Sequence, residues 1–155
     1  MLRNAPGRAR NDEQGFTLVE LLVVIVLLGI IAAIVLPTLL SKQDTGKDAT
    51  AKSNARNLVS RVAGCHVETG DFTMCDSDAE LTAVTGGPND LPYGNGPDQA
   101  EVETATEDTY RVAARSSSTS GGSAHKFTIE AGTGGPPERT CTPSGNGGCG
   151  EDGNW

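Results

Sequence analysis

The chain has 155 residues and a formal net charge of −8, enough for one domain plus an additional element. An acidic body repels phosphate backbones, so nucleic acid is not the expected partner. Apolar residues are 36% of the chain, but the large aliphatics crowd into residues 16–40. The remainder, rich in Gly, Ser, Thr, Asp and Ala, can bury only a small core and needs outside support.

Residues 1–15 are polar and loop-like. Arg3, Arg8 and Arg10 stand against Asp12 and Glu13, leaving nine basic and eighteen acidic residues after Gly15, a balance of −9. Residues 16–40 then read FTLVELLVVIVLLGIIAAIVLPTLL, 25 residues with Glu20 as the one ionisable side chain. A bilayer-spanning helix needs about 20 apolar residues. Apolar side chains go all the way round, and nothing downstream is large enough to enclose them, so a membrane helix is expected rather than a core helix. The basic residues before it place the N-terminus in the cytoplasm. A secretory signal has a short apolar region followed by its cleavage site. Here the polar break precedes the apolar run, so a cut at that junction removes only residues 1–15.

The junction Gly15-Phe16-Thr17-Leu18-Val19-Glu20-Leu21-Leu22 resembles the type III signal of type IV prepilins and type II secretion pseudopilins. The resemblance is close over residues 15–37 and architectural beyond. It implies that a membrane aspartyl peptidase cuts between Gly15 and Phe16 and N-methylates Phe16. One departure is Gln14, where the family usually has Lys or Arg before the Gly.

A carboxylate within a bilayer costs about 2.5–3.5 kcal/mol on insertion scales. Snorkelling to the interface satisfies Glu20 in a lone chain. In a bundle of staggered parallel helices, Glu20 can instead meet the Phe16 amine of a neighbour, as the resemblance implies, with the Thr17 hydroxyl as helper. Gly29, Ala32 and Ala33 fit either ordinary membrane-helix composition or close helix approach. Pro37 is expected to kink the helix or melt the turn before it.

Residues 41–70 continue as an amphipathic helix. Ala51, Ala55, Leu58 or Val59, Val62 and Cys65 recur at three- and four-residue steps, and Gly70 is a stop signal. Residues 71–155 form a small head. Residues 71–106 read as loops, with turn signals in GGPNDLPYGNGP. Strands are expected at 109–115 and 126–131, joined by the long polar loop RSSSTSGGSAH, with a short third strand at 139–142. The fold class is α+β: a long helix on a small antiparallel sheet, with a Gly-rich, disulfide-stapled end, similar to pilin architecture.

Cys65, Cys75, Cys141 and Cys149 lie beyond the apolar run, outside the cytoplasm, where disulfides persist. Four cysteines allow three pairings. Cys65–Cys75 and Cys141–Cys149 are favoured, since each brackets one short loop. There is no CxxC, and His66 and His125 lack zinc-ligand spacing. Asp71, Asp76 and Asp78, or Asp90 and Asp98, hint at calcium but match no EF-hand loop. No metal or cofactor is expected. No GxSxG, P-loop or HExxH occurs, so the chain is not expected to be an enzyme.

These observations lead first to a type IV pilus subunit, anchored in the cytoplasmic membrane as a precursor and extracellular when assembled. Its expected partners are copies of itself, the prepilin peptidase, and the assembly platform and motor proteins. A secretion pseudopilin shares the same N-terminus. A membrane-anchored module that never polymerises is the third reading.

Overall fold

The computed structural model describes residues 16–86 and 90–155, with the side chains of 37–41 outside the description. The chain divides into two units, Met1–Thr38 and Leu39–Trp155. One helix, α1, is assigned from Leu18 to Thr69. That range includes Pro37. The expected kink rests on a side chain outside the described residues.

Over Leu18–Leu36 the mean hydropathy is 3.2 and no residue is buried. Leu18, Val19, Leu21, Ile25, Leu28 and Ile34 are each more than half exposed, so the aliphatic surface has no protein cover on any side. The second stretch of α1 behaves differently. Asp48, Ala51, Ala55, Leu58, Val62 and Cys65 are all fully buried. The stripe expected from sequence is present, settles on Leu58 rather than Val59, and extends one step back to Asp48. Gly70 ends the helix with φ +75°, its N–H bonded to the His66 carbonyl.

The stretch expected to be loops, 71–106, is more ordered than its composition suggests. Asp71 caps a 3-10 turn, Phe72–Cys75, by accepting from the Thr73 amide. Helix α2 spans Asp78–Thr85. It opens with a capping box in which Ser77 Oγ accepts from the Glu80 amide and donates to its carboxylate. Strand β1 follows at Ala100–Ala105.

Strands β2 (Thr109–Ser120), β3 (Ser123–Gly132) and β4 (Gly135–Thr142) complete an antiparallel sheet in the order β1-β2-β3-β4. The long polar loop expected between β2 and β3 is instead strand. Only Gly121 and Gly122 form the turn, both at positive φ, as the favoured two-residue hairpin turns require. Ser116 and Ser118 point inward and are buried, so this end of β2 alternates in burial without alternating in hydropathy.

The inner face stacks in cross-strand rows. Val102, Val112 and Ile129 make one row; Ala114, Phe127 and Cys141 make the next, the small alanine leaving room for the buried ring. This face and the buried stripe of α1 share one core. Trp155 adds to it edge-on, with ring centroids 5.7 Å from Phe127, and donates Nε1–H to the Thr140 carbonyl. The outer face is polar, with an exposed Arg111–Glu130 pair. Strand β4 is exposed from Gly135 to Thr140 and carries Pro136 and Pro137. Disulfides join Cys65 to Cys75 and Cys141 to Cys149, the pairing that the short loops favour.

Candidate functional site

Two places in the described residues gather polar chemistry where it is costly. The first is the start of α1. Thr17 Oγ1 accepts from the Glu20 amide at 3.2 Å, so Thr17 caps the helix and Glu20 falls in its first turn. This is the start of a capping box, and a carboxylate there also meets the positive end of the helix dipole. Glu20 therefore has a local reason for its place, besides any contact between subunits. The helper expected of Thr17 holds the Glu20 backbone in this single chain. Phe16 is 83% exposed. Gly15, and with it the expected cleavage junction, lies outside the described residues. Gly29 has open space where a Cβ would stand, as close helix approach requires.

The second place is inside the head and was not anticipated. Asp48 on α1 is fully buried, and its Oδ2 accepts from His125 Nδ1 at 2.8 Å and from the Gly148 amide at 2.7 Å. His125, 1% exposed, places Nε2 2.7 Å from Ser120 Oγ. Lys52, one turn after Asp48, donates Nζ to the Gly148 carbonyl at 2.5 Å and lies over the Phe127 and Trp155 rings. Burial pulls the Lys52 pKa down; the Asp48 charge opposes that shift and Arg56 adds to it. No motif spacing reveals this group, because its members come from a helix, two strands and a loop; Asp48 and His125 are 77 positions apart. The readable signal was a lone Asp continuing an apolar stripe.

Of the aspartates that hinted at calcium, Asp71 and Asp98 have structural duties. Asp71 caps a turn, and the Thr73 hydroxyl and amide hold its carboxyl below the usual range. Asp76 is pushed up by burial and by its contact with Glu80. Asp98, at φ 57°, accepts from the Ser117 amide. His66 stacks on Phe72 with centroids 3.9 Å apart. Among the described residues no three His, Cys, Asp or Glu side chains gather to hold a metal.

Comparison with known proteins bears on the first place. Residues 10–36 match the family model of the prokaryotic N-terminal methylation motif. The chain carries a pilin-type N-terminus. Type II secretion system core protein G of Pseudomonas aeruginosa is 43% identical over 49 residues, 32% of this chain and 34% of that protein. The chain thus spans about a third of the length of the curated relative it matches. No solved structure matches. The motif at the start of an uncovered apolar helix makes the chain similar to type IV pilin-like proteins and type II secretion pseudopilins. Such a chain fits an inner-membrane-anchored precursor.

Proposed function

We propose that this chain is a structural, non-enzymatic filament subunit that polymerises through its N-terminal helix after a cut between Gly15 and Phe16 and N-methylation of Phe16. The observation that carries this reading is the methylation motif over residues 10–36, placed at the head of an apolar helix with no cover of its own. Bare aliphatic surface is stable in lipid or against copies of itself, and removal of the polar leader lets the helix exchange one for the other. Glu20 then serves twice. It sits in the helix's first turn in the lone chain, and in the filament it neutralises the Phe16 amine of a neighbour.

Of the two filament types, a type II secretion-like pseudopilus is supported by the named relative. A surface pilus is the second reading, favoured by an acidic head with two disulfides suited to standing exposed. The partners in either case are copies of this chain, the prepilin peptidase, and the platform and motor of the assembly system.

The test is Glu20→Leu in a strain expressing the assembly machinery. Insertion and cleavage are expected to survive, with mass spectrometry giving a methylated Phe16 start. Filament yield per mature chain is expected to collapse, because an unpaired amine enters an apolar core. Filaments in parental amounts would sink the pairing. Loss of protein secretion without loss of surface filaments, on deleting the gene, selects the pseudopilus.

A further inference from the structure

The buried relay in the head has a chemistry that a filament role does not use. His125 Nδ1 and the Gly148 amide both lie within hydrogen-bond reach of Oδ2 of Asp48, while Oδ1 is buried with no partner among the described residues. In the neutral imidazole with its hydrogen on Nδ1 toward Asp48, Nε2 keeps a lone pair, and the Ser120 hydroxyl 2.7 Å away donates to it. Nucleophile to base and base to orienting carboxylate are both within the 2.6–3.2 Å reach that activation of a serine needs.

Access differs along the relay. Asp48 and His125 are sealed, whereas Ser120 is half-buried at the last position of β2. The Gly121–Gly122 turn beside it is exposed, and a Cβ on either glycine would meet nothing within 4 Å. Among the described residues, the backbone hydrogen bonds of turns and loops include none donated by Gly121 or Gly122, the two residues after Ser120.

We propose that Ser120 is an activated nucleophile and a modification site, taking an acyl group from an activated carboxylic ester, with His125 as its base and Asp48 as the positioning residue. Ser120 Oγ attacks the ester carbonyl as its proton passes to Nε2. The new Oγ–C bond forms a tetrahedral intermediate whose oxyanion faces the turn amides. Collapse breaks the bond to the leaving alcohol, which departs with the proton from Nε2. The acyl group remains on Ser120.

The test uses the full chain in detergent micelles with p-nitrophenyl acetate, read by peptide mapping. Ser123, across the same turn, is the internal reference. Acetylation of Ser120 is expected to outrun that of Ser123 by about 10²-fold or more, the usual contribution of a positioned base. Its rate is expected to rise with pH along a single histidine ionisation and then level. Ser120→Ala removes the label while leaving Trp155 fluorescence and both disulfides unchanged. Asp48→Asn is expected to slow labelling and to distort the pH profile, which a purely structural aspartate would not do. Ser120 labelling no faster than Ser123, or a rate that follows hydroxide without levelling, overturns the proposal. Both readings come from the parent chain, so they hold even if a relay variant fails to fold.

Discussion

Gly148 donates its amide to Asp48 across one hundred positions of sequence, which ties the C-terminal disulfide loop to the long helix from inside the core. The same oxygen also takes the His125 Nδ1–H, so one carboxylate serves a buried ring and a half-buried amide. A buried donor left without its acceptor costs about 1–3 kcal/mol. Asp48→Ala, which strands both, is expected to lower stability by about 2–5 kcal/mol on that scale. Asp44→Ala, which breaks only an exposed contact with Lys47, is expected to stay within about 0.5 kcal/mol. Denaturant unfolding followed by the fluorescence of Trp155, the single tryptophan, measures both. Equal losses would remove the claim that Asp48 anchors the loop.

Gly147 and Gly122 separate steric cost from conformational cost. Both have positive φ, 56° and 83°. A side chain in the left-handed region costs about 1–2 kcal/mol, and Gly122→Ala is expected to lose about that much. A Cβ at Gly147 would run into Asp48 Oδ2 and the His125 ring. Gly147→Ala should therefore be clearly the worse of the two, with midpoint shifts in the same unfolding assay as the comparison.

Breaking Cys141–Cys149 by a double Ser substitution removes a loop closure of eight residues. The expected loss is about 2–4 kcal/mol. Its local sign would be release of Trp155 from Phe127 and from the Lys52, Arg56 and Arg139 cations around it. A red-shifted, more quenchable emission in the folded variant is the expected readout. An unchanged spectrum would mean that the loop holds its place without the bond.

The chain's two tyrosines give a pH prediction. Burial raises the Tyr110 pKa; burial also raises that of Tyr93, with the Val102 amide opposing and nearby carboxylates adding to the shift. The folded state thus favours the neutral phenols. Their contribution to stability is full below the ordinary value of about 10 and is lost as pH rises through the folded values. Ultraviolet titration should show both tyrosines ionising late in the folded chain and normally in denaturant. Simultaneous early ionisation in the folded chain would contradict the burial of Tyr110.

Much of this molecule was legible in its sequence where side-chain chemistry and position speak together. A clean apolar run opening at Phe16 has one physical use, and Ala51, Ala55, Leu58, Val62 and Cys65 keep a helical period that needs no tertiary knowledge. The hairpin was harder. Ser116, Ser118 and His125 face inward on β2 and β3, so the alternation that betrays a strand is hidden in residues usually counted as polar. The Gly121-Gly122 pair was the readable signal for the turn, and Ser77 with Glu80 was the readable signal for α2. Strand β1 had little to offer, since Ala100 alone is fully buried among its six residues. The Asp48–His125–Ser120 relay was out of reach because the fold alone brings its members together.

The two prolines on β4 have a consequence for crowded copies. A free sheet border recruits strands from other molecules through its row of amide hydrogens, and proline has none to offer. Heads pressed side by side at high local density therefore cannot zip into one continuous ribbon through Pro136 and Pro137. In the filament proposed above, strand pairing along this border is therefore blocked at Pro136 and Pro137, and contact between copies falls to the aliphatic stems instead.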